Sequence, residues 1–205
     1  QGDWNENGRG DACEEPPYAD SVVDWSPVGE QGVNNWYYGY YNLTADADGV
    51  FEQDDFIEFD PNEHWRGNMF RLAPSNCPWT LLQQEGTHPN GVNSCPNEEH
   101  WSIRRWVSDR DQMVSLVWHI REVNLGGTGV SGILFHNGAE IDRVVIAGGD
   151  GVGATRTRVV EIAEGDVIDL ALTPTGPNDN RHDGSDGSAN WLRITGDLPD
   201  SDGDG

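Results

Sequence analysis

The chain has 205 residues, with 36 Asp and Glu against 12 Lys and Arg, and a formal net charge of −24. That balance excludes nucleic-acid binding through phosphate neutralisation and adsorption to an anionic membrane, and no apolar run approaches the roughly 20 residues that cross a bilayer. A mean hydropathy of −0.66 points towards disorder, but nine Trp, five Tyr and five Phe supply enough ring surface for a core.

Residues 1–17 are mostly Gly, Asp, Asn and Glu, with Trp4 the main apolar side chain. The sequence begins at Gln1 without an initiator Met or a leader-like segment, the expectation for a processed protein or a piece of a longer one. Asp3, Asn5 and Asn7 put a side-chain oxygen at every second position. Gly8 follows, Arg9 offers a main-chain carbonyl, and Asp11 ends the run. Calcium takes six to eight hard oxygen ligands at about 2.3–2.6 Å, and a loop of this spacing wraps such an ion. Gly8 lets the backbone reverse. The run from Asp3 to Cys13 resembles a thrombospondin type 3 repeat, whose loops read D-x-[DN]-x-[DN]-G-x-G-D-A-C. The resemblance implies calcium as cofactor, held by Asp3, Asn5, Asn7, the Arg9 carbonyl and Asp11, and an oxidised Cys13.

Residues 18–196 carry nearly all the aromatic and β-branched side chains and read as strands. Segment 36–41 is a run of aromatic residues, and 102–107 and 113–123 nearly alternate apolar with polar. Segments 133–136 and 140–146 flank Asn137-Gly138, a strong hairpin signal. Segment 155–162 alternates, 167–172 follows the turn Glu164-Gly165-Asp166, and 191–194 closes the series. No helical period is sustained. The expected fold is an all-β antiparallel sandwich or jelly roll of about eight to eleven strands. Residues 61–65 (Pro-Asn-Glu-His-Trp) echo 96–101 (Pro-Asn-Glu-Glu-His-Trp), a weak hint of a repeat. Cys77 and Cys95 sit in turn-rich sequence, and a disulfide between them would add roughly 3 kcal/mol. With three Cys in all, Cys13 is then left as a free thiol or for a bond between neighbouring strands. Asn42-Leu43-Thr44 is a glycosylation sequon at Asn42.

The stretch from Gln31 to Tyr41 and Ile103-Arg104-Arg105-Trp106 look like segments of bacterial secreted jelly-roll domains that resemble carbohydrate-binding modules. The resemblance implies the sandwich fold and a polysaccharide partner. Sugar binders stack exposed rings on pyranose faces, so Trp36, Tyr38, Trp101 and Trp106 are candidate ligand-binding residues, with burial in the core as their competing role. Between the last two expected strands, Asp179, Asp183 and Asp186 form a second acidic cluster and a further candidate calcium site. Six His residues are scattered, and no His-Glu-x-x-His, Cys-x-x-Cys, Gly-x-Ser-x-Gly or Gly-x-x-x-x-Gly-Lys motif occurs. Among 36 acids any two can be posed as a glycosidase pair, so their abundance says nothing of catalysis. The expectation is a protein that is not an enzyme.

Residues 197–205 are again acidic and Gly-rich, with Asp200, Asp202 and Asp204 at alternate positions. Written ahead of Gln1-Gly2-Asp3, they complete a second loop in phase with the first. Its ligands would be Asp200, Asp202, Asp204, the Gln1 carbonyl and Asp3 of another copy. This leads to the expectation of an extracellular or cell-surface subunit or tandem repeat. Copies would join head to tail through calcium, as non-closing contacts do in a filament, stalk or adhesion structure. The other reading is a carbohydrate-binding module of a larger secreted adhesin or enzyme.

Overall fold

A computed structural model describes residues 17–75 and 77–196. Among these, thirteen strands form a sandwich of two antiparallel sheets: β1 (Ala19–Asp20), β2 (Trp36–Asn42), β3 (Ile57–Glu58), β4 (Phe70–Arg71), β5 (Leu81–Leu82), β6 (Gly86–His88), β7 (His100–Val107), β8 (Gln112–Glu122), β9 (Val130–His136), β10 (Ala139–Ile146), β11 (Ala154–Ile162), β12 (Val167–Thr173) and β13 (Ser188–Gly196). One sheet runs β11-β8-β13-β6-β5-β4, with β1 also on β13. The other runs β10-β9-β12-β7-β2-β3. The fold is the all-β sandwich that the strand spacing implies. The strands beyond the expected number are β1, β3, β4, β5 and β6, each of two or three residues and too short to show a period.

Alternation sets the inner faces. Trp36 and Tyr38 of β2, Trp106 of β7, Leu116, Trp118 and Ile120 of β8, Leu170 of β12, and Leu192 and Ile194 of β13 are buried in one core. A second cluster covers the outside of the six-stranded sheet. Tyr41, Phe51, Ile103, Ile133, Phe135 and Ala171 pack there with Leu43, Phe56 and Trp101. With both faces covered, β12 is buried at every position, and it reads as a continuous apolar run rather than an alternating one.

The Asn137-Gly138 hairpin is present. Both residues have positive φ, 50° and 79°, as a type I′ turn requires, and β9 and β10 meet at His136↔Ala139. Cys77 and Cys95 are joined by a disulfide. The two echoing segments adopt different structures. Residues Pro61–His64 form a short helix capped by the Asp60 side chain, which accepts from the Asn62 N–H. Residues 96–99 form irregular chain leading into β7, so the echo is not a structural repeat.

Candidate ligand-binding cleft

Three of the four candidate sugar-binding rings are in the wrong place for that role. Trp36 and Tyr38 have no exposed surface and Trp106 has 2%. All three share the inward parity of their strands and belong to the main core. Trp101 is partly buried in the second cluster, edge-on to Tyr41 at 5.0 Å, with its indole N–H donated to Glu99 Oε1 at 2.7 Å. No sugar platform is built from these four.

The ring that faces an open cleft is Trp25. It lines a cavity of about 450 Å³ together with Pro27, Gly67, Asn68 and residues Gln83, Gln84, Glu85 and Gly86. Three irregular segments meet there: the loop after β1, the loop before β4, and the β5–β6 hairpin. Beneath Trp25 lies an aromatic floor, with Tyr38 at 4.5 Å, Phe70 at 6.0 Å and Trp65 at 6.1 Å between ring centroids. Gly29, at φ +76°, leaves space for the Trp65 ring: a β-carbon there would lie 2.2 Å from it.

The hairpin that forms the polar wall is held from below. Arg104 of β7 is fully buried. Its Nε donates to Asn190 Oδ1 at 2.7 Å and its Nη2 to the Gln83 carbonyl at 2.8 Å. The Asn190 N–H donates to the Glu85 carbonyl at 3.0 Å, and the Gln83 N–H to the Gly86 carbonyl at 2.7 Å. Gln84 Nε2 ties the hairpin to the loop after β1 by donating to the Val22 carbonyl at 2.9 Å. Burial pulls the Arg104 pKa down to about 10, against the charges of Tyr38 and Glu85, so the guanidinium stays charged at neutral pH. Burial also raises the Tyr38 hydroxyl above its ordinary range. Arg104 Nη1, Tyr38 Oη and Asn190 Nδ2 are buried without a hydrogen-bond partner among the described residues. The cleft therefore combines an indole, three amide side chains and the Glu85 carboxylate on a rigid floor. That set suits a ligand with an apolar face and several hydroxyl groups.

Sequence reasoning missed this cleft. Trp25 and Gln83–Gly86 stand outside every alternating stretch. The available signal was Arg104, a charge at the inward parity it shares with Trp106.

Of the acidic cluster, Asp183 and Asp186 are buried and Asp179 is exposed on the preceding turn. Asp183 Oδ1 accepts from Ser94 Oγ at 2.6 Å, and Asp186 Oδ1 from the Thr128 N–H at 3.3 Å. Beside them lies a residue outside the acidic motif, Glu122 at the end of β8, with no exposed surface. Burial pushes Glu122 up to about 8, and the neighbouring Asp186 charge adds to this. Burial likewise lifts Asp186 to about 7, against the Thr128 hydrogen bond and with the Asp183 charge adding to it. At the sequon, Asn42 donates from Nδ2 to Glu98 Oε2 at 2.9 Å. The terminal residues named above, Gln1, Asp3, Asn5, Asn7, Arg9, Asp11, Asp200, Asp202 and Asp204, lie outside the described residues, as does Cys13.

No family model and no curated protein matches the chain. Solved structures to which the chain shows some similarity include carbohydrate-binding modules. A family 35 module from an environmental isolate is 12% identical over 72% of this chain and 92% of that one, with a TM-score of 0.32. The family 51 module of a Clostridium perfringens GH95 protein, in complex with methyl-galactose, is 13% identical over 78% of this chain and 89% of that one, with a TM-score of 0.34. A Kluyveromyces marxianus β-glucosidase is 9% identical over 80% of this chain with a TM-score of 0.36, and the similarity spans only 18% of that enzyme.

Proposed function

We propose that the sandwich is a non-catalytic carbohydrate-binding module that holds a neutral polysaccharide in the Trp25 cleft. The observation that carries this reading is the pairing of the Trp25 indole with the amides of Asn68, Gln83 and Gln84 in one open cavity. Planar amides donate and accept at adjacent positions, which suits vicinal hydroxyls, while an indole covers the apolar face of a sugar ring. Among the described residues no Arg or His lines the cleft, and the chain carries a net charge of −24, so polyanionic chains are disfavoured. The Cys77–Cys95 disulfide fits an oxidising, extracellular setting.

Affinity electrophoresis against a panel of neutral polysaccharides tests the proposal. Trp25→Ala should abolish the retardation seen with the parent chain, and Trp191→Ala should leave it unchanged. Trp191 lies on the other face of β13, stacked on His119 at 5.5 Å. Retardation lost in Trp191→Ala and kept in Trp25→Ala would move the site to that face and overturn the reading.

A second reading concerns the Asp/Asn spacing at 3–11 and 200–204, which suits calcium. In this reading the sandwiches are calcium-linked to one another as parts of a filament or stalk. Sedimentation velocity with added calcium, then with excess EDTA, tests it. Calcium-dependent growth in mass that Asp3→Asn with Asp11→Asn removes supports the linkage, and a mass independent of calcium rejects it.

A further inference from the structure

One end of the space between the sheets is polar. Three neighbouring strands contribute one residue each to a single row: Thr87 of β6 pairs with Ser188 of β13, and Ser188 pairs with Glu122 of β8. Glu122 shares the parity of the buried Leu116, Trp118 and Ile120, so its side chain enters the interior where another apolar residue would fit. Asp186 lies two residues before Ser188 and continues the same inward face. Ser188 Oγ lies 3.0 Å from the Asp186 main-chain carbonyl oxygen and 3.3 Å from Glu122 Oε2, with one proton to donate to one or the other.

Four oxygens at this end are buried and have no hydrogen-bond partner among the described residues: Glu122 Oε1, Asp186 Oδ2, Asp183 Oδ2 and Thr87 Oγ1. Their residues are 0%, 0%, 3% and 2% exposed. The contrast with the other buried acids is informative. Asp169 is met by Arg105 at 2.8 Å, Asp142 by Arg156 and Arg158, and Asp20 by Arg193. Among the described residues, Glu122, Asp183 and Asp186 form no ion pair with an arginine or histidine. A carboxylate buried in its ionised form is paired or bound to a metal, and without either it keeps a proton. The backbone around Asp186 is also pared down. A β-carbon on Gly127 would lie 2.6 Å from Asp186 Oδ1, so glycine lets that loop close over the carboxylate.

We propose that Glu122 and Asp186 bind one divalent hard cation, calcium, between the sheets, with Thr87 Oγ1 as a neutral ligand and Asp183 beside them. The donors are all oxygen, as calcium prefers over softer metals. Among the described residues no three His, Cys, Asp or Glu side chains converge on one point, so the site is assigned two carboxylates completed by neutral oxygens. It uses none of the residues of the cleft or of the terminal segments, and it does not depend on the proposed function.

The test uses the full chain with Asp3, Asp11, Asp200, Asp202 and Asp204 each changed to Asn, which silences the terminal loops. After exhaustive dialysis against chelator, calcium chloride is titrated calorimetrically and bound metal is counted by equilibrium dialysis. One calcium per chain is expected, with a rise in Tm. Glu122→Gln and Asp186→Asn should each weaken binding at least tenfold and remove the Tm rise. No bound calcium in the folded parent of this series overturns the proposal, as does unchanged affinity in Glu122→Gln. If Glu122→Gln does not fold, the dialysis count on the parent and the Thr87→Val variant decide: expected are one ion and a several-fold loss, and a count of zero or an unaffected Thr87→Val is the contrary result.

Discussion

Arg104 and Asn190 join the two sheets through the interior of the sandwich, Nε to Oδ1 at 2.7 Å. One residue stands on β7 and the other on β13, and both also hold backbone of the β5–β6 hairpin. This contact makes the wall of the cleft part of the core rather than an appended loop. Arg104→Met keeps volume and removes the donors. The carbonyl of Gln83 and Oδ1 of Asn190 then stay buried with fewer partners, at a cost of about 1–3 kcal/mol each. Urea unfolding should show a combined loss of about 2–6 kcal/mol, and polysaccharide retention should fall with it because Gln83 to Gly86 are no longer fixed. Full retention in a destabilised but folded variant would separate the hairpin from binding.

The Cys77–Cys95 bond closes a loop with a sequence separation of 18. A loop of that size restricts the unfolded chain by roughly 3 kcal/mol. Cys77→Ala with Cys95→Ala should therefore lower unfolding free energy by about 2–4 kcal/mol in urea while β7 to β13 keep their circular dichroism. The span carries Leu81, Leu82 and the cleft residues Gln83 to Gly86, so sugar affinity should fall with the bond.

How far the sequence reached depends on whether an element carries a period. Asn137-Gly138 announced its turn because only residues tolerant of positive φ fit both central positions, and the strands on either side followed. The parity of β7 was equally legible. Trp106, Arg104 and Ser102 share one face, and the burial of Trp106 places the Arg104 charge inside. Read that way, Trp106 was never free to stack on a sugar. Trp25 could not be picked out, because its loop has no period and the hairpin it faces, from Leu81 on, is 56 or more residues further along the chain. Glu122 was hidden for a related reason. Its neighbour Asp186 lies 64 residues further along the chain and comes near it only across the β8–β13 strand pair.

His100 gives a pH dependence of known sign. It is 2% exposed, with Nδ1 at 2.9 Å from Thr80 Oγ1 and Nε2 at 3.1 Å from Glu98 Oε2. Burial lowers its pKa, against the pull of Glu98 and Glu99. Above the unfolded value near 6.5 both states hold a neutral ring and the group contributes no slope. Below it the unfolded chain takes a proton that the folded chain resists, so stability falls as pH drops. Unfolding free energies of wild type and His100→Gln, taken at pH 7.5 and 5.5, should differ in slope, with the variant losing less on acidification. Comparing the two proteins at each pH cancels the other titrating groups. Equal slopes would mean that the ring protonates as readily in the fold as outside it.

The opposite flank of the sandwich depends on Asp142. β10 and β11 are the edges of the two sheets, and a register shift between Glu140 and Asp142 interrupts the β10–β9 ladder, with the Asp142 side chain buried. There it accepts from the Trp118 indole N–H at 3.2 Å, from Arg156 Nη2 at 2.8 Å and from Arg158 Nη2 at 2.7 Å, so one carboxylate links the two edge strands to the core. The contributions are unequal. Arg156 and Arg158 are 38% and 40% exposed and rehydrate when released, which limits each to about 0–1 kcal/mol. Trp118 has no exposed surface, and stranding its N–H costs about 1–3 kcal/mol. Asp142→Asn keeps an acceptor for that N–H and loses only the charge, whereas Asp142→Ala loses both. Urea midpoints should therefore order wild type, then Asp142→Asn within about 1–2 kcal/mol, then Asp142→Ala lower still by about 1–3 kcal/mol. Equal losses in the two variants would mean that the arginines, and not the buried indole, set the worth of this carboxylate.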